Sequence, residues 1–328
     1  MNLDIGSNWK LFSKAASHPI TPETGYELAD WPKDNLSELL NLANNTRKEY
    51  KQDKVFTCGI LNAKSGKCSE DCAFCAQSGH NRTEIENYPL LSKQEIVEQA
   101  LKYAEAGATN FSVVISGLGP KQRELDTVCQ AVQEIKSRTD LAVCASLGTL
   151  TPDMAHSLKQ AGLNNYHHNL ETAPSYFQDI CSTHELNQDI QTLKTVQESG
   201  VRVCSGGIIG LGETWRQRVE LALTLQELDV DSIPLNFLNP IPGTPLQNHP
   251  ILRPLDALKS IAIYRLINRD KDIVICGGRE VTLKDYQSFI FLAGANGLMI
   301  GNYLTTQGRS AERDLEMIRD FGLEPIPF

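Results

Sequence analysis

The chain has 328 residues, with 31 Lys and Arg against 40 Asp and Glu and a formal net charge of -9, a balance that repels polyanions and argues against a nucleic-acid partner. Hydrophobic residues at 41% and charged residues at 22% describe a globular chain able to bury a large core, which excludes a disordered or fibrous one. The longest nearly apolar stretch, residues 289–300, is broken by Gly294, Asn296 and Gly297 and falls short of the roughly 18 residues of a membrane helix, so no membrane partner is expected.

In chain order, the opening MNLDIGSNWKLF carries an Asp where a secretory leader would be basic, and a cytoplasmic protein is expected. Helix formers dominate residues 36–51. Beyond them, short β-branched runs alternate with longer amphipathic segments. The runs are residues 55–61, 109–115, 141–146, 164–169, 201–208, 232–237, 273–276 and 297–300. Helical patterning falls on residues 93–105, 123–138, 152–161, 186–198, 215–228, 255–267 and 283–292. Ser92 and Thr151 with Pro152 open helices, while Gly107, Gly162 and Gly200 close them. Repeated strand-helix units with short connections favour an α/β fold, a (β/α)8 TIM-type barrel of parallel strands with an N-terminal helical extension; an open doubly wound sheet is the alternative. One domain is expected over residues 1–328, with the extension at 1–52, the barrel core at 53–302 and a C-terminal segment at 303–328.

Nine cysteines in a long cytoplasmic chain point to metal binding or catalysis, because reducing compartments keep thiols free. Three of them, Cys68, Cys72 and Cys75, stand at CxxxCxxC spacing just after the first strand. Three thiolates can hold three irons of a cubane and leave the fourth without a protein ligand. A structural zinc site, with His80 as fourth ligand, is the alternative, although such sites favour two separated ligand pairs. With Phe74 just before its third Cys, the loop resembles the signature of the radical S-adenosylmethionine (SAM) superfamily. That resemblance implies a 4Fe-4S cluster whose open iron chelates SAM and whose electron cleaves the sulfonium to a 5'-deoxyadenosyl radical.

Further segments resemble biotin synthases from about Leu61 to the C-terminus. They are Asn169-Leu170-Glu171-Thr172, the stretch from Val203 to Thr214, Pro234-Leu235-Asn236, Gly243-Thr244-Pro245-Leu246, Ala293-Gly294-Ala295-Asn296 and Leu304-Thr305-Thr306. Taken alone, the glycine run could be a helix-packing turn, and Asn169-x-Glu171 or the Thr pair could be caps. The resemblance implies a transferase, a sulfurtransferase of biotin biosynthesis that inserts sulfur into dethiobiotin. Phe74, Asn169, Glu171, Gly206, Gly207 and Ile208 would face SAM, and His167, Asn236, Thr305 and Thr306 would face dethiobiotin. It also implies an electron donor of flavodoxin or ferredoxin type and a homodimer.

The family's 2Fe-2S centre, held by three Cys and an Arg, is altered: Ser112 and Val274 stand at two ligand positions, while Cys144 and Cys204 remain. Cys58 and Cys276 lie on strands one and seven. Barrel interiors fill in layers of four side chains from alternate strands, so Cys58, Cys144, Cys204 and Cys276 are expected to form one layer around a four-iron auxiliary cluster. Four small buried hydrophobes are the alternative. Cys129, at a helical spacing from Leu125 and Val132, and Cys181, in a loop without a nearby partner, are assigned to packing. Asp189 stands where the family has an Arg for the SAM carboxylate, leaving Arg216 or Arg218 as substitute cations. Rival readings are a radical SAM enzyme of the hydrogenase-maturation or methylornithine synthase type, and an iron-sulfur assembly or electron-carrying protein.

Overall fold

The computed structural model describes residue 11, residues 13–16 and residues 20–326; most of the opening dozen, on which the leader expectation rests, lie outside them. The strands are β1 (Lys54–Lys64), β2 (Asn110–Ile115), β3 (Ala142–Ser146), β4 (Asn165–His167), β5 (Arg202–Cys204), β6 (Gly207–Ile209), β7 (Ser232–Phe237), β8 (Asp272–Ile275), β9 (Gly297–Met299) and β10 (Glu324–Pro325). All pairings are parallel, and β9 returns to β1, which closes the sheet. β5 and β6 both pair with β7 and form one interrupted stave, and β10 pairs with Lys54 and Val55 at the start of β1, ahead of its pairing with β9. The result is the expected barrel of eight staves, not an open sheet.

The run at residues 201–208 is therefore two strands, for a local reason. Opposite the break lies Pro234, which has no N–H to give to the ladder. Gly206 presses against it so closely that a Cβ there would stand 2.0 Å from the Pro234 carbonyl oxygen. Its own N–H turns instead to Asn169 Oδ1 at 3.1 Å.

The helices follow their start and stop signals. Ser92 forms a capping box with Glu95 at the head of Lys93–Glu105, and the Thr151 hydroxyl caps Pro152–Gln160. Gly107, Gly162 and Gly200 all adopt positive φ, the left-handed conformation that ends a helix. The expected helix over 283–292 is not continuous: Arg279–Leu283 stops at Lys284, whose φ is 50°, and Phe289–Leu292 forms separately. Among the described residues, the helices Pro22–Ala29, Phe177–Ile180 and Ala311–Asp320 escaped the periodicity reading. No helix among the described residues is long and apolar enough to cross a membrane.

The N-terminal helix Leu36–Lys51 packs on Pro254–Ile267 outside the barrel. Beside this contact Arg265 is fully buried. Its guanidinium donates to the carbonyls of Gly294, Asn268, Arg269 and Lys271 and to Asn296 Oδ1. Asn296 in turn donates to Asp272 Oδ1 at 2.8 Å and accepts from the Ile273 N–H at 2.9 Å, so one cation ties the bottom of β8 and β9 to the outer helices. Arg265→Met keeps the apolar stem but strands these acceptors in the interior. It should cost about 3–5 kcal/mol, read as a lower denaturation midpoint.

Candidate functional site

Strand alternation organises the barrel interior. On β1 the inward side chains are Phe56, Cys58 and Ile60; on β2 Asn110, Ser112 and Val114; on β3 Cys144 and Ser146; on β4 and beyond Asn165, His167 and Asn169. Cys204, then Ser232, Pro234 and Asn236, then Val274 and Cys276, and Met299 complete the wall of a 340 Å³ cavity. The loops above add Phe74, Cys75, Glu171, Ile208, Thr305 and Thr306.

Cys58, Cys144, Cys204 and Cys276 thus face one space from alternate staves. Cys58 and Cys144 share a hydrogen bond that pushes the Cys58 thiol up and draws that of Cys144 down. Burial pushes Cys204 up to about 12 and Cys276 higher still. Asn165 Nδ2 donates to Cys144 Sγ at 3.4 Å, and His167 Nδ1 lies 3.4 Å from Cys204 Sγ. Burial lowers His167 to about 4, so its ring is neutral near pH 7. Ser112 stands in register with Cys144, and Val274 packs with Phe56 and Cys276. The donor set is therefore four converging thiols with amide and imidazole neighbours, which suits an iron-sulfur cluster: thiolates that burial discourages become favourable once iron replaces the proton.

The CxxxCxxC loop lies between β1 and Lys93–Glu105, over the same cavity. The Cys68 N–H donates to the Gln77 carbonyl at 3.0 Å and the Cys75 N–H to that of Cys72 at 3.1 Å, while Asn81 Nδ2 reaches the carbonyls of Cys72 and Cys75. The Ala73 N–H donates to the Ile180 carbonyl at 2.9 Å and fixes the loop to the far side of the barrel mouth. Burial pushes Cys75 up to about 11 and Cys72 beyond it. Three partly buried thiols on one pinned loop fit a cubane bound through three irons. His80 does not complete a zinc set here, because its Nε2 lies 2.9 Å from the Ser69 carbonyl oxygen.

Glu171 faces the cavity at φ 60°, a left-handed conformation uncommon for a residue with a side chain. Burial raises its carboxyl to about 7, against a 3.2 Å hydrogen bond donated by Asn169 Nδ2. Gly206 and Gly207 stand behind this surface: a Cβ on Gly207 would lie 2.4 Å from the Glu171 carbonyl oxygen, so both glycines serve close strand packing. Asn236 Oδ1 accepts the Gly277 N–H at 3.0 Å, which orients its amide toward the cavity. The Thr305–Thr306 segment is held by Asn62 Nδ2 on the Leu304 carbonyl, by Tyr303 on Glu280, and by the buried pair Arg279–Asp314 behind it.

Two expectations need correction. Cys181 is not without partners: its Sγ lies 3.8 Å from Cys72 Sγ, 3.3 Å from Asp71 Oδ1 and 3.3 Å from His184 Nδ1. The substitute cations Arg216 and Arg218 sit elsewhere, Arg216 over the Tyr26 ring and Arg218 on Glu213 and Trp215, where cation–π contact and a 2.6 Å ion pair hold them. Asp189 is consumed by two imidazoles, His168 Nε2 at 2.7 Å and His184 Nε2 at 3.2 Å, and His184 Nδ1 meets Glu70 Oε2 at 2.7 Å. The Asp189 hydrogen bond is the main cause raising His184 to about 9. The stability contributed by protonated His184 is fully present below pH 6.5, the ordinary histidine value, while its carboxylate partners stay ionised, and is lost as pH rises through about 9. In Asp189→Asn, proton NMR titration of His184 should return toward 6.5 and the melting temperature should lose that dependence.

Residues 63–225 match the family model of the Radical SAM superfamily, and residues 234–324 that of the Biotin and Thiamin Synthesis associated domain. The chain is 53% identical over 292 residues to a biotin synthase of Syntrophus aciditrophicus (strain SB), covering 89% of this chain and 90% of that one. It is 51% identical over 304 residues to a biotin synthase of Nitratidesulfovibrio vulgaris (strain DP4), covering 93% and 84%. Among solved structures, methylornithine synthase is similar with a TM-score of 0.83 at 19% identity, covering 96% of this chain and 97% of that one. The FeFe-hydrogenase maturase from Carboxydothermus hydrogenoformans gives 0.84 at 16%, covering 97% and 79%. At such identities the structural likeness shows the barrel alone. Sequence identity of 53% and 51% over nearly the full length shows more: with its three-cysteine loop above a cysteine-lined barrel, the chain belongs to the biotin synthase family of radical SAM enzymes.

Proposed function

We propose that the chain closes the sulfur-containing ring of biotin on dethiobiotin, with the sulfur drawn from a four-iron auxiliary centre held by Cys58, Cys144, Cys204 and Cys276. The observation that carries this reading is the convergence of those thiols on one cavity beneath the three-cysteine loop. Val274 and Ser112 leave no arginine or further thiol in that layer, so four matched sulfur ligands are what the described residues offer.

In this reading Cys68, Cys72 and Cys75 hold the 4Fe-4S cluster. With SAM bound, it supplies the one-electron cleavage that starts hydrogen abstraction from carbon. The protein's residues position and shield. Phe74 and Ile208 offer apolar walls to the adenosyl group, and Asn169 and Glu171 its hydrogen-bond partners. His167, neutral and tied to Cys204, and Asn236, oriented by Gly277, line the same cavity, where the ureido end of dethiobiotin would lie. The hydroxyls of Thr305 and Thr306 would receive its carboxylate. Ring closure needs the acceptor carbon held between radical source and sulfur source, and one cavity reaches both. The same reading includes a flavodoxin or ferredoxin type electron donor, a cytoplasmic setting that suits nine free cysteines, and a homodimer.

Anaerobic incubation with dethiobiotin, SAM and reductant should yield biotin by mass spectrometry, and reconstituted protein should hold about eight irons per chain, falling to about four in Cys276→Ala. No biotin, or about four irons whether or not Cys276 is present, would contradict the reading. Because Glu171 ionises only above about 7, SAM should bind more weakly as pH falls below that value, by up to about tenfold per pH unit. Glu171→Gln should flatten the profile in calorimetric titrations.

A further inference from the structure

A second cavity, of 250 Å³, opens at the bottom of the barrel, around the N-terminal ends of the strands. Lys51, Lys54, Asp272 and Asn296 line it, and Phe56 forms part of its wall. The same Phe56 also lines the upper cavity that holds the four thiols. It lies two residues below Cys58 on the inward face of β1 and packs against Val274, Cys276 and Met299. Gly297 supplies the bed for its ring: a Cβ there would stand 2.5 Å from the ring carbons. One aromatic side chain is thus shared by the walls of the two spaces.

We propose that hydrosulfide reaches the thiol layer from below, through the Lys51–Lys54 cavity and past the Phe56 ring. The inference rests on the reading above, in which the layer holds a centre that gives up one sulfide per product. A spent centre needs a sulfide back, and its upper side is where Phe74, Glu171, Asn236 and Thr305 gather for cofactor and substrate. Passage from below is independent of their departure. The chemistry of the lower mouth suits an anion. Asp272 is already engaged by Lys51 at 2.8 Å, by Arg202 at 3.3 Å and by Asn296 at 2.8 Å, and Lys54 is exposed. This is a locally cationic opening in a chain whose net charge is -9. The refilling step is redox-neutral: hydrosulfide joins iron through sulfur, loses its one proton to solvent through the same cavity, and leaves one sulfide in place of the one donated.

The test is exchange of isotopically labelled sulfide into anaerobically reconstituted full-length enzyme without reductant, so that no turnover occurs and each labelled sulfide that enters by the route replaces an unlabelled one that leaves as hydrosulfide. Label is read in acid-labile sulfide by mass spectrometry, and Cys276→Ala enzyme supplies the background of the loop centre. Saturating SAM and dethiobiotin should leave uptake unchanged. Phe56→Ala should speed it about tenfold and Phe56→Trp slow it, while Lys54→Glu should slow it about threefold at low salt and little at high salt. Lys54 is exposed, so that variant keeps the test open if Phe56→Ala does not fold. Uptake abolished by SAM with dethiobiotin, or indifferent to both Phe56→Ala and Lys54→Glu, would overturn the lower route. Protein holding only about four irons would instead contradict the auxiliary centre itself, so the two failures are distinguishable.

Discussion

The period of two along a parallel strand is the constraint on which the rest of this structure depends. Once β1 to β9 close, every second side chain must enter the barrel, and alternate staves contribute to common layers. Cysteine at residues 58, 144, 204 and 276 therefore cannot remain scattered; closure brings the thiols to one cavity. Unmetallated, burial pushes Cys204 up to about 12, so its thiol stays protonated and packs as a small apolar group. A metal bound there would have to displace those protons, and the thiolate–metal bonds would hold the charge that burial otherwise disfavours.

Above this layer the chain builds a second, more local device. The cysteine loop is irregular backbone, so its geometry comes from explicit hydrogen bonds: Gln77 to Cys68, Asn81 across Cys72 and Cys75, Ile180 to Ala73. The His168–Asp189–His184–Glu70 chain runs beside it and ties the loop to β4 and to the helix Leu186–Glu198. Within that network the Asp189 carboxylate is met by two imidazoles, which accounts for an acidic residue at position 189 without asking it to meet an anionic ligand. On the opposite rim, Arg279–Asp314 fixes the C-terminal helix, and with it the segment bearing Thr305 and Thr306.

Much of this was legible from residue order. Strand and helix alternation gave the barrel, and the inward placement of Cys58 and Cys276 followed from their spacing to neighbours on the same strands. The split between β5 and β6 was hidden because its cause, Pro234, lies on another strand and acts by lacking a donor. Cys181 looked solitary for a similar reason: its neighbour Cys72 is 109 residues away, on a loop with no periodicity to place it. Asn165 could have been found, since it precedes His167 by two on the inward face and so had to meet the thiol layer. Gly206 and Gly207 were read toward a ligand, whereas their missing Cβ atoms are required by strand contact.

The most direct measurement is anomalous scattering at the iron edge from an anaerobic crystal of the reconstituted protein. Two separate iron centres should appear, one against the sulfurs of Cys68, Cys72 and Cys75 and the other enclosed by those of Cys58, Cys144, Cys204 and Cys276. Iron confined to the loop, with four unmetallated thiols in the barrel below it, would contradict the account.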